Sequence, residues 1–181
     1  VRALALLVAW VLLAGCDARR ATVPPAERDG EPLSEPLLAA LGQAKSLHHI
    51  ADLRLADGDH DGAVAALSSI LTIRFPAGAP EAEETLLDAR ARLAKVYLGL
   101  GRLDDAGRVV DEGLAAPSRE SFFLANLHTV AGEVHEARAR ALEAVDAAAA
   151  RAERRAAVEA YERSIAINRR VQEKLWKEAP P

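Results

Sequence analysis

The residues most able to do chemistry lie in the run Asp57-Gly58-Asp59-His60-Asp61-Gly62, alternating carboxylates closed by a glycine, whose oxygens could wrap a hard cation such as calcium. The position where such a loop needs its bidentate glutamate falls on Ser68, and residues 63–70 carry helical apolar spacing. The expected structure is a polar interhelical turn, with Asp61 capping the next helix. Of the five histidines, His48 and His49 are adjacent and point about 100° apart on a helix. His128 and His135 share a face two turns apart, but no histidine pair at i, i+4 with a carboxylate marks a zinc site. Neither a metal nor another cofactor is expected. There is no serine-nucleophile motif, phosphate-cradling glycine loop or dinucleotide fingerprint, and Glu133 and Glu136 are only two of many carboxylates. The expectation is therefore a protein that is not an enzyme.

Cys16 is the sole cysteine, so an exported domain would have to be stable without disulfides. It stands at the end of an apolar stretch, Ala3 to Ala14, that follows Arg2, the order of regions found in a secretory signal. A stretch of about 12 residues covers only ~18 Å as a helix, short of the ~30 Å hydrocarbon core. Leu13-Ala14-Gly15-Cys16 resembles the lipobox of bacterial lipoproteins. That resemblance implies a diacylglycerol on the Cys16 thiol, cleavage before Cys16, and a membrane anchor made of acyl chains. Residues 1–15 would be the signal peptide. With Val1 first and no methionine, the start is read either as a non-standard codon or as lying upstream. Asp17 resembles the signal that retains some lipoproteins in the inner membrane, so the chain is expected in the cell envelope, facing the periplasm, with inner and outer membrane both open.

Half of the residues are hydrophobic but only 4% are aromatic, which favours an alanine- and leucine-rich helical protein over a sheet. The net charge is −4, and loss of the leader with Arg2 makes the remainder one unit more acidic. Signs are mixed along the chain, and the basic stripe of a nucleic-acid binder is missing. Residues 17–35 are polar, contain Pro24, Pro25 and Pro32, and lack an apolar period. With lipidated Cys16 they form the expected disordered tether, 16–35, of about 25 Å as a coil and at most about 60 Å extended.

From Pro36, apolar residues recur at helical spacing in blocks cut by glycine and proline. The expected helices are 36–57, 61–74, 81–99, 103–115, 119–151 and 155–178, with breaks at Gly58, Pro76 to Pro80, Gly101 and Pro117. The fifth is drawn as one helix of ~45 Å because Phe123, Leu127, Val130, Val134, Ala141, Val145 and Ala148 form a single stripe. The blocks repeat: Leu47, Ile50, Ala51, Gly58, Ala63, Leu67 and Ile70 are followed by Leu93, Ala94, Tyr97, Gly101, Ala106, Val110 and Gly113. A looser copy joins Leu127, Val130, Ala131 and Val134 to Ala157, Tyr161, Ser164 and Ile165. This pattern resembles the tetratricopeptide repeat, a helix-turn-helix unit of about 34 residues. Pro76 and Pro117 stand near the family's closing proline, while Leu47 and Arg90 replace its leading tryptophan and the interval from Ala63 to Ala106 exceeds the family unit.

The resemblance implies an all-α domain, 36–179, of antiparallel helix pairs stacked as a right-handed solenoid, with an elongated last pair. It also implies close helix approach at Ala51, Ala63, Ala94 and Ala106, and a concave groove that binds a protein. Transferred by position, the groove residues are Lys45, His48 and Asp52, then Asp88 and Lys95, then His128 and His135. The charges there are mixed, unlike the lysines and asparagine with which some members clamp a terminal carboxylate. The expected function is a membrane-anchored, non-enzymatic scaffold for a protein partner in an envelope complex. The alternatives are a metal- or small-ligand-sensing domain, from the acidic turn and the histidines, and a structural self-assembler whose long pair 119–178 forms a homodimer.

Overall fold

A computed structural model describes residues 33–178. The signal peptide, the lipobox, Cys16, the tether as far as Pro32, and Ala179 lie outside the described residues. Six helices follow in order: α1 (Glu35–Ala56), α2 (His60–Ile70), α3 (Pro80–Gly99), α4 (Leu103–Ala115), α5 (Phe122–Leu142) and α6 (Ala147–Glu178). Among the described residues there is no strand, and no helix is long and apolar enough to cross a membrane.

Two turns are built alike. Gly58 and Gly101 take φ of 75° and 71°, a left-handed conformation that costs glycine little. Each reversal lets the next amide reach back five residues, Asp59 N to Arg54 O at 2.8 Å and Arg102 N to Tyr97 O at 2.9 Å. These bonds satisfy carbonyls that a helix end leaves open. The helix after the first turn is capped by Asp59, whose side chain accepts from the Gly62 amide at 2.9 Å. Asp61 was the expected cap, but Asp59 occupies the N-cap position and is held from the other side by Arg54 at 2.8 Å.

The reversals fold α1 onto α2 and α3 onto α4, and α3 packs on α1, α2 and α5. Ala51, Ala63, Ala94 and Ala106 are fully buried, so small side chains do sit where backbones approach. Around them Leu67, Ile70, Leu93, Val110, Leu127 and Val130 form one continuous core. Ile50 and Ile165, expected beside them, are instead exposed, and Ser164 takes the buried place next to Ile165. At the second turn Arg102 lies 4.5 Å over the Tyr97 ring, closing the end of the α3–α4 pair.

The α5–α6 boundary departs from expectation. The chain turns at 143–146, so α5 is shorter than predicted and α6, at 32 residues or about 48 Å, is the long helix. Asp146 causes the break: its carboxylate accepts from the amides of Ala148 and Ala149 at 3.0 and 2.9 Å, starting a new helix. Val145, counted as part of the apolar stripe, is left in solvent. Gly132 lets the two helices touch, since a β-carbon there would lie 2.6 Å from the Tyr161 ring. Thr129 and Ser164 hydrogen-bond across the same seam at 2.8 Å.

Candidate partner groove

An open groove of about 440 Å³ runs between α1, the first half of α3 and the start of α5. Leu41, Ala44 and Phe123 supply its apolar surface. Lys45, His48, Asp52 and Asp88 all line it, so four of the seven positions expected from the family pattern gather in one place. Arg92 joins them: it donates to His48 Nδ1 at 2.8 Å and its other amino group pairs with Asp52. With Nδ1 accepting, a neutral His48 carries its proton on Nε2, which lies 3.6 Å from Asp88. Arg92 thereby fixes the imidazole between α1 and α3.

The remaining three positions are elsewhere. Lys95 faces Glu133 across α3 and α5 at 3.6 Å. His135 Nδ1 contacts Glu153 of α6 at 2.6 Å, and His128 feels the charge of Arg163, also on α6. Both histidines thus lie on the α6-facing side of α5 rather than beside His48. Next to them, Tyr161 donates to Glu136 at 3.0 Å, and burial together with that carboxylate pushes its phenol up to about 12.

Arg92, Glu81 and Glu84 are charged groove residues that the sequence pattern did not single out, and Phe123, read there only as part of the α5 stripe, faces the groove as well. For Arg92 the missed signal is helical spacing: it lies one turn beyond Asp88, on the same face of α3. Glu84 is tied to Arg119 at 3.2 Å, anchoring the connection before α5 to the groove rim. Among the described residues no cluster of histidines, cysteines or carboxylates could hold a metal ion, and the acidic turn is taken up by the Asp59 cap and its pairing with Arg54.

Burial, with Arg92 next in effect, pulls the His48 imidazole below the ordinary histidine value, against the opposing influence of Asp88 and Asp52. Burial and then Arg163 pull His128 down as well. The unfolded chain therefore binds protons more readily at both sites, so their contribution to stability is complete above about pH 6.5 and is lost as pH falls through the folded values. Thermal melts are expected to decline below about pH 6.5, and the His48→Gln/His128→Gln double variant should flatten that part of the profile. An equally steep decline in the double variant would place its origin elsewhere.

The family model for the tetratricopeptide repeat matches residues 54–119, from the last turn of α1 to the connection after α4. The protein contains tetratricopeptide repeats. No curated protein and no solved structure matches the chain. The matched stretch holds both glycine turns and the buried Ala63, Ala94 and Ala106, while Ala51 and the groove residues on α1 and α5 lie outside it. Tetratricopeptide repeats are generally non-enzymatic modules that bind protein partners, and stacking of such units leaves a concave surface.

Proposed function

We infer that the groove between α1, α3 and α5 holds a segment of a protein partner, and that the domain works as a non-enzymatic scaffold tethered to a membrane of the bacterial envelope. One observation carries this: Arg92 braces His48 and Asp52 beside the half-buried Leu41 and Phe123, with Asp88 and Glu81 lining the same open groove. Preorganised polar groups around an apolar floor favour binding, because little side-chain freedom remains to be lost. The anchor rests on Leu13-Ala14-Gly15-Cys16, and residues 17–35 give the domain reach from the bilayer surface. Asp17 supports the inner membrane as the site of retention.

The test is a paired capture from envelope extract. The unaltered protein and an Asp88→Lys variant are immobilised at equal density. A partner retained by the first and reduced at least about tenfold by the second is the expected result, the range seen when a charge at an interface centre is reversed. A partner held equally by both would move the binding surface away from the groove.

A further inference from the structure

The contacts of His48 depend on its own charge. Guanidinium nitrogens only donate, so the 2.8 Å contact between Arg92 and His48 Nδ1 requires Nδ1 to be an unprotonated acceptor. The other ring nitrogen, Nε2, lies 3.6 Å from Asp88, too far for a hydrogen bond, and the two form an ion pair only when the ring is charged. Among the described residues Asp88 has no other ion-pair partner, and 32% of its side chain is exposed. A proton on Nδ1 turns the acceptor into a donor that faces a donor and sets imidazolium against guanidinium. Arg92 then keeps its hold on α1 through its second amino group, which pairs with Asp52, one turn beyond His48. The imidazolium gains Asp88, one turn before Arg92 on the same face of α3. Of the neighbours on α1, Asp52 favours the charged ring and His49 opposes it. Lys45, Glu81 and Glu84 line the same groove, with Glu84 held by Arg119. To this groove α5 contributes only Phe123, and α2 nothing.

We propose that His48 is a proton-operated switch in the groove: neutral, it accepts from Arg92 and leaves Asp88 to a partner, whereas protonated it leaves Arg92 and takes Asp88 for itself. This rests on the groove as a protein-binding site and adds the regulation of that site. Burial and Arg92 hold the imidazole below the ordinary histidine value, so the groove accepts its partner at neutral pH and gives up Asp88 on acidification. The partner group at stake is a cationic donor, a lysine, an arginine or a terminal ammonium, because such a group competes with the imidazolium for one carboxylate.

The experiment titrates the full chain in detergent, isotope-labelled at its histidine nitrogens and read by NMR, with His48→Gln identifying the His48 signals. At neutral pH the unaltered protein should carry its proton on Nε2 with Nδ1 bare, and should lose that tautomer in one step on acidification. Asp88→Asn removes the carboxylate that receives the imidazolium and should move the step to lower pH. Arg92→Met removes the competing cation and should move it to higher pH. A ring protonated on Nδ1 at neutral pH, or a step that neither variant moves, overturns the switch. Far-UV circular dichroism confirms that each variant is helical. The effect on the groove is read by repeating the envelope capture at about pH 7.5 and about pH 5. The unaltered protein should retain its partner at least about tenfold less at the lower value. His48→Gln keeps an acceptor for Arg92 but cannot take the charge, so it should hold the partner equally at both. An equal loss in His48→Gln, or no loss in the unaltered protein, overturns the regulation while a partner released by Asp88→Lys keeps the groove reading. A partner that Asp88→Lys retains ends both, and the titration still judges the exchange of His48 between Arg92 and Asp88.

Discussion

Replacing Leu127 with alanine should destabilise the domain by about 3 kcal/mol and lower its melting temperature by roughly 6 to 12 °C. Leu127 is fully buried where α5 meets the α3–α4 pair. One of its methyl carbons fills the space beside Gly113, where a β-carbon would come within 2.6 Å of it. Truncation removes the buried methyls and leaves a cavity that three helices would have to move together to close, so relaxation recovers little. The neighbouring glycine supplies a check. Gly113→Ala alone should destabilise by overpacking, whereas in the Leu127→Ala background it should be tolerated better, because the clashing methyl is gone. Circular dichroism melts of the four proteins complete the cycle. A shift of under about 2 °C for Leu127→Ala would mean that the three-helix junction is not a principal part of the core.

Cys16→Ser should move the protein from the membrane fraction to the soluble one while leaving the melting temperature of the helical domain unchanged. This follows from the proposed lipid anchor. Each buried methylene contributes about 0.8 kcal/mol, and one acyl chain holds a protein only marginally where two or three hold it stably. Serine cannot take the thioether link, so the expected effect on membrane retention is a near-complete loss rather than a graded one. Because no helix of the described residues is long and apolar enough to span a bilayer, the helical domain offers no substitute span. Fractionation with and without alkaline carbonate, with a melt of the released protein, separates the outcomes. Retention of the serine variant in washed membranes would end the anchor proposal.

The parts of the fold legible in sequence were those that backbone chemistry enforces. Gly58 and Gly101 occupy left-handed positions that few other residues tolerate, so the two turns, and with them the ends of α1 and α3 and the starts of α2 and α4, could be placed closely. The break at 143–146 has no glycine or proline. Its cause is Asp146, whose capping bonds outcompete one more turn of helix, and an aspartate inside an otherwise unbroken stripe is a weak signal on its own. The groove was legible at Lys45, His48 and Asp52 on α1 and at Asp88 on α3, but not at Lys95, which faces Glu133 instead. Arg92 was not, because what distinguishes it is contact with residues on another helix, His48 and Asp52. Nor was the placement of His128 and His135, which depends on how α6 lies along α5.

The connectivity of the helices has an evolutionary consequence. α1 rests on α2 and α3, and α6 on α5, with no contact joining the two ends of the row. A duplication or deletion of one pair at either end would therefore rebuild a single interface and leave the opposite end's packing as it was. In a ball-like core the same event would disturb packing throughout. Copy number is thus a variable that mutation can adjust in this lineage almost independently of residue identity, and the lengthened last pair is the place where the next change in length would be tolerated with the fewest compensating substitutions.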